Sequence, residues 1–103
     1  MKLKSTLTHA KISSSTLWHY ETLITEVEYF NTKYVNTGKI IVNRTFSDDG
    51  LIMTLEHVYS SLESWQEFME DDVLIRIRNE KEIYNAENDI FLISFDFEEM
   101  PSE

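Results

Sequence analysis

Ile40-Ile41-Val42-Asn43-Arg44-Thr45-Phe46, Ser47-Asp48-Asp49-Gly50, Leu51-Ile52-Met53-Thr54-Leu55-Glu56-His57-Val58-Tyr59 and Ser60-Ser61-Leu62-Glu63-Ser64-Trp65 follow one another without a break. The first and third runs are rich in β-branched and aromatic residues, and the second has the composition of a tight turn, so the three read as a β-hairpin. Ser60 and Glu63 have capping-box spacing and start a helix. A two-residue Asp49-Gly50 turn and a four-residue loop over 47–50 give the same side-chain parity. Ile40, Val42, Arg44 and Phe46 share a face with Leu51, Met53, Leu55, His57 and Tyr59; Ile41, Asn43, Thr45, Ile52, Thr54, Glu56 and Val58 take the other. The first face is the more apolar and is assigned to the helices.

Working outward, residues 3–12 read as a first strand, with Leu3, Leu7 and several Thr suited to a half-buried sheet. Ser13-Ser14-Ser15 offers caps for a helix over 16–35, whose inner face is Leu17, Tyr20, Ile24, Val27, Phe30 and Tyr34. Gly38 ends that helix in the left-handed conformation. After the hairpin, Leu62, Trp65, Phe68 and Met69 form the inner side of a short helix, and Trp65 is expected in the core. Glu70-Asp71-Asp72 interrupts it and lies at the positive end of a second helical segment over 73–86. Arg76/Glu80 and Arg78/Glu82 are four apart and support that segment. Residues 90–97 read as the last strand, with Phe91, Ile93, Phe95 and Phe97 on one face and Ile90, Leu92, Ser94 and Asp96 on the other; residues 98–103 read as a frayed polar tail.

The order β-α-β-β-α(α)-β, with a hairpin in the middle, predicts a four-stranded antiparallel sheet in the order 4-1-3-2 with helices on one face: an α+β, ferredoxin-like layout forming a single domain over 1–103. The helix-free face keeps Ile41, Ile52 and Val58, with Ile90 and Leu92 from the last strand. Soluble monomers usually avoid such a patch, so a homodimer is expected to bury it.

Composition narrows the function classes. No cysteine is present, which excludes disulfides, thiolate metal sites and Cys nucleophiles. The formal net charge of −10 opposes direct binding to nucleic-acid phosphates. No apolar run reaches the roughly 20 residues needed to cross a bilayer, and no signal-peptide pattern is visible, so no membrane association and a cytoplasmic location are expected.

The run from Gly50 to Met69 (strand, aromatic, serine cap, then a helix with an aromatic near its start) resembles the third strand and following helix of dimeric α+β-barrel proteins, the group that includes antibiotic-biosynthesis-type monooxygenases, EthD-like and NIPSNAP-like proteins. The resemblance implies two sheets facing each other across a two-fold axis. The haem-degrading branch of that group uses a first-strand Asn, a Trp and a helical His. Trp65 matches the Trp, but the first strand has no Asn and residues 66–88 contain no His. No cofactor is therefore expected.

Candidate site residues are few. Glu56 with Asn43, Thr45 and Thr54 can line a barrel cavity and anchor a small ligand. Glu56 and His57 are the candidate bases, but as strand neighbours they face opposite ways and cannot act on one proton. His9 and His57 fall on neighbouring antiparallel strands, on the order of 10 Å apart at about 3.4 Å per residue, and His19 is on a helix, so no metal site is expected. The leading expectation is a cytosolic homodimeric barrel binding a small apolar ligand. The enzyme alternative is a cofactor-independent monooxygenase or isomerase; the interaction alternative is an acidic adaptor or inhibitor of a basic partner.

Overall fold

The structure is a computed structural model and describes residues 1–101. Strands β1 (Lys2–Lys11), β2 (Ile40–Phe46), β3 (Ile52–Tyr59) and β4 (Ile90–Met100) form one antiparallel sheet in the order β2-β3-β1-β4. Helices α1 (Thr25–Phe30), α2 (Leu62–Glu70) and α3 (Asp72–Glu87) lie on one face. This is the ferredoxin-like α+β layout that the element order predicts. Among the described residues no helix is long and apolar enough to cross a membrane.

The hairpin register follows the expected parity: Phe46 pairs with Met53, Arg44 with Leu55, Val42 with His57 and Ile40 with Tyr59. Ser47 closes the turn by donating from its backbone N–H to the Ile52 carbonyl at 2.9 Å, and Gly50 takes φ +74°. The cap of α2 is Ser61 rather than Ser60. Its hydroxyl accepts from the Ser64 N–H at 3.1 Å, so the capping-box pairing of Ser60 with Glu63 does not form.

Two further expectations are corrected. Residues 16–35 are not one helix. Ser13 and Thr16 make local turns, His19–Thr22 is a single 3-10 turn, and α1 starts only at Thr25. Burial of Trp18 under the Lys11 ammonium, 4.7 Å from the ring, competes with helical continuation there. Leu17 and Ile24, expected inside, are consequently exposed. α1 then widens into a π-turn, Asn31–Val35, and stops at Gly38 with φ +77°. The second correction is in β4. A bulge shifts its register on β1: Thr8 faces Ser94, while His9 faces Leu92 and Lys11 faces Ile90. Ile90 therefore packs beneath the helices with Trp18 and Met53, Leu92 shares that side, and Phe91 moves to the open face opposite Ala10. Glu98, Glu99 and Met100 extend β4 instead of fraying, and Lys4 pairs with Glu98 at 3.2 Å; Ser102 and Glu103 of the expected tail lie outside the described residues.

The core is divided. At one end Leu3, Tyr34, Ile40, Tyr59, Phe68 and Leu74 pack together; at the other, Trp18, Met53 and Ile90. Asp71 fastens the first end. Its Oδ2 accepts from Tyr34 Oη at 2.7 Å, Tyr29 Oη at 2.8 Å and Lys33 Nζ at 2.9 Å, and its Oδ1 caps α3 through the Val73 N–H at 3.0 Å. Burial pushes this carboxyl up, but the bonds from Tyr34, Lys33, Tyr29 and Val73 outweigh burial and hold it well below the usual carboxylate range. Replacing Asp71 with Ala leaves the buried Tyr34 hydroxyl with only the longer bond to the Glu67 carbonyl at 3.3 Å and uncaps α3, so a loss of about 3 kcal/mol is expected in urea melts. A loss under about 1 kcal/mol would show that the network does not hold the helices.

Candidate functional site

Between the two packed ends the helices stand off the sheet and leave a cavity of about 600 Å³. Its floor is the middle of the sheet, where Ser5 faces His57 and Leu7 faces Leu55. Val27 and Phe30 of α1, Trp65 and Phe68 of α2 and Ile77 of α3 form the roof, and Phe95 and Phe97 of β4 stand at the side. Phe95 is 57% exposed, so the cavity opens along the β4 edge. Walls of this kind, apolar with a few polar groups, are typical of small-molecule sites.

Half of the polar groups in the lining are cationic or imidazole (Arg44, Arg78, Lys81, His9, His19 and His57); Ser5, Tyr20, Asn31, Tyr59 and Asn85 are neutral, and Glu26 is the one carboxylate among the described residues. Alternation along β1 and β3 turns His9 and His57 inward. α3 carries Leu74, Ile77, Arg78, Lys81 and Asn85 to the cavity on one helical stripe. Arg44 stands at the rim with its guanidinium 3.9 Å from the Tyr20 ring centre. Arg78 donates to the Met69 carbonyl at 3.0 Å and lies over Phe68; its other terminal nitrogen, Nη1, is buried without a partner. The expected Arg78/Glu82 pair does not form, whereas Arg76 and Glu80 approach to 3.8 Å.

His57 is held by stacking on Phe30 (ring centres 5.6 Å) and edge-on against Phe68 (5.6 Å). Its Nδ1 lies 3.4 Å from Tyr59 Oη, which lies 3.3 Å from Ser5 Oγ. Burial, then the Arg44 and Lys81 charges, push His57 down to about 3. Burial and Lys81 push His9 to about 4, and its Nδ1 has no hydrogen-bond partner. The Lys81 amine is itself lowered by burial and by Arg78 and Arg44. At neutral pH both imidazoles are uncharged.

Asn43, Thr45, Thr54 and Glu56 come together on the opposite, helix-free face, where Asn43 faces Glu56 and Thr45 faces Thr54. They form its polar middle with Thr6 and Thr8, and Glu56 lies 3.9 Å from Lys4. None of the four lines the cavity. Of the two candidate bases, His57 reaches the cavity and Glu56 does not. Sequence reasoning does not single out Lys81, takes Arg78 as a partner of Glu82, and weighs His9 and His19 only as metal ligands. The available signal for the first two was their place on the Leu74-Ile77-Tyr84 stripe. Among the described residues no group of three or more His, Asp or Glu side chains converges closely enough to hold a metal ion.

Compared with known proteins, the chain matches no family model and no curated sequence. Its fold is similar to solved structures. Rv0793 from Mycobacterium tuberculosis aligns with a TM-score of 0.59 at 11% identity, over 98% of this chain and 97% of that one. Protein YJCS gives 0.54 at 9% identity over 98% and 100%, and SO0527 from Shewanella oneidensis 0.52 at 13% over 94% and 86%. At these identities the likeness shows the fold alone, and that fold is ferredoxin-like α+β.

The two buried imidazoles make stability fall in mild acid. Their folded pKa values lie below the unfolded value near 6.5, so the unfolded chain binds more protons and stability rises with pH across that window. The penalty is absent above pH 6.5, grows as pH falls, and levels off near pH 4 for His9 and pH 3 for His57. Urea melts of wild type at pH 7.5 and pH 5 should differ by roughly 1–2 kcal/mol more than those of His57→Phe. Identical pH dependence in the two proteins would place His57 in water.

Proposed function

We propose that this chain is a small-molecule-binding protein of the dimeric α+β-barrel type, cytoplasmic and homodimeric, whose ligand occupies the cavity between sheet and helices. The observation that carries the reading is the cavity itself: about 600 Å³ left open between two tightly packed ends, where a structural domain of this size would be filled. The resemblance of residues 50–69 to the barrel proteins and the shared fold support it.

The homodimer rests on the uncovered side of the sheet. β4 is an edge strand of 11 residues; Phe91 on its open face is more than 40% exposed, as are Leu92, Phe95 and Phe97 on its helix side and Ile93 at the bulge. Long, apolar edges of this kind are aggregation sites unless covered. Across the open face Phe91, Ala10 and Ile52 form one row, with Ile41 at the far end. A second copy docked there buries the patch.

An enzymatic reading draws on one observation, the place of His57 in the cavity wall near Arg44 and Lys81, whose charges would stabilise an oxyanion while making the imidazole a weak base. In that reading His57 Nε2 or Nδ1 takes a proton from an acidic C–H of a bound substrate. The cations stabilise the oxyanion formed, and the same proton returns at a neighbouring carbon, as in an isomerase.

Light scattering and a neutral fluorescent probe, N-phenyl-1-naphthylamine, test the proposal together. The expected results are a particle of twice 12.2 kDa, conversion of Phe91→Glu to monomer, and saturable fluorescence enhancement at one site per chain. A wild-type monomer at micromolar concentration contradicts the dimer, and absence of saturable binding contradicts the cavity as a ligand site.

A further inference from the structure

The distribution of charge in the cavity is opposite to that of the chain. The sequence has 19 acidic and 9 basic residues, yet the lining holds three of the nine bases and one of the nineteen acids. Of the six bases elsewhere four are paired, Lys33 with Asp71, Lys39 with Glu67, Lys4 with Glu98 and Glu56, and Arg76 with Glu80, while Lys2 has no carboxylate within 4 Å among the described residues and Lys11 is held by the Thr16 carbonyl and the Trp18 ring. Arg44, Arg78 and Lys81 have no carboxylate within 4 Å among the described residues. Glu26, the acid in the lining, acts on His19; Glu82 acts on Lys81 and Asp71 on Arg78 only from beyond 4 Å, and burial outweighs both.

A packing role does not account for that arrangement. A desolvated cation with no counter-ion costs stability, and an acidic chain has carboxylates in abundance to supply one. Arg44, exposed at the rim, and the half-buried Arg78 stay charged even though desolvation lowers them, so their field persists in the cavity. Lys81 adds a third donor head on the same helical stripe as Arg78. The remaining walls, Leu7 and Leu55 below and Phe30 and Trp65 above, are apolar and aromatic. A free inorganic anion would gain nothing from them, and a neutral hydrocarbon would leave the cations unpaired.

We infer that the cavity selects an amphipathic organic anion, with an aromatic or acyl body between the Leu7/Leu55 floor and the Phe30/Trp65 roof and a carboxylate or sulfonate head paired with Lys81, Arg78 and Arg44. The inference rests on the cavity being the ligand site. The head supplies the counter-charge that the protein omits, and the body displaces water from the apolar walls. Two deprotonated oxygens fit the forked donors of a guanidinium better than a single hydroxyl does.

A matched pair of probes tests the head separately from the body. 1-Anilinonaphthalene-8-sulfonate and N-phenyl-1-naphthylamine share one aromatic body and differ by the sulfonate. Fluorescence titrations on the full chain should show the sulfonate binding about tenfold or more tightly. Lys81→Met should weaken the sulfonate about tenfold and change the neutral probe by less than about threefold, while Lys81→Arg keeps the wild-type preference. Lys81→Met should also raise the melting temperature of the unliganded protein, because it removes an unpaired buried charge; a merely structural lysine would lower it. Displacement of the sulfonate probe by 1-naphthoate or by dodecanoate tells an aromatic from an acyl body. Equal affinity for the two probes, or a Lys81→Met protein that binds the sulfonate as well as wild type, overturns the inference while the neutral cavity survives. If neither probe binds, the cavity reading fails and this inference fails with it.

Discussion

Asp71 sets the height of the helical layer. Its carboxylate gathers two tyrosine hydroxyls and an ammonium from α1 and the π-turn, and it caps α3 at the same time. Those bonds fix the junction between α2 and α3 against the end of the sheet where Ile40 and Tyr59 pair. At the far end Trp18 props the chain before α1 against Met53 and Ile90. With both ends fixed, the middle cannot collapse by moving one helix inward, and the side chains there are too few to fill it. Cavities persist in folded proteins when the surrounding structure relaxes only partly, and two anchored ends supply that stiffness.

The stiffness holds in place groups that would otherwise find water or partners. His9, His57 and Lys81 are all pushed toward their neutral forms by burial, and their positive neighbours add to it. Unlike the Asp71 network, where the charge is met by direct bonds, the cavity wall holds three cations with no carboxylate within 4 Å among the described residues. Stability given up at one place in a fold is a common mark of a working site. Here the deficit has one sign, and that sign names the complement.

Much of the architecture was legible because it depends on local rules. Gly50 in the turn and the alternation of Ile40, Val42 and Arg44 against Leu55, His57 and Tyr59 are enough to set the hairpin and its two faces. Gly38 marks a helix end because a left-handed residue is needed there. The failures were non-local. The shift at Thr8/His9 that turns Ile90 under the helices depends on how β4 meets β1, and nothing in residues 90–97 announces it. The stretch 16–24 has helical periodicity, but Trp18 is taken by Lys11 and the sheet end, a contact made across the fold. The cavity was hidden for a simpler reason. Leu7, Leu55, Phe30 and Trp65 have the same spacing whether they touch one another or surround a void. The polar residues legible as a group, Asn43, Thr45, Thr54 and Glu56, lie on the open face, whereas Lys81 joins the cavity only because the stripe from Leu74 to Tyr84 runs through it.

The void at the centre of the sheet is tested most directly by filling it. Leu55→Phe adds an aromatic ring to the cavity floor between Leu7 and Arg44. If the space is open, the ring gains apolar contact without strain: stability should rise by roughly 1 kcal/mol in denaturant melts, and N-phenyl-1-naphthylamine binding should be lost. If the interior is solid, the same ring overpacks it. A fall of about 1–3 kcal/mol with probe fluorescence unchanged would contradict a built cavity between two anchored ends.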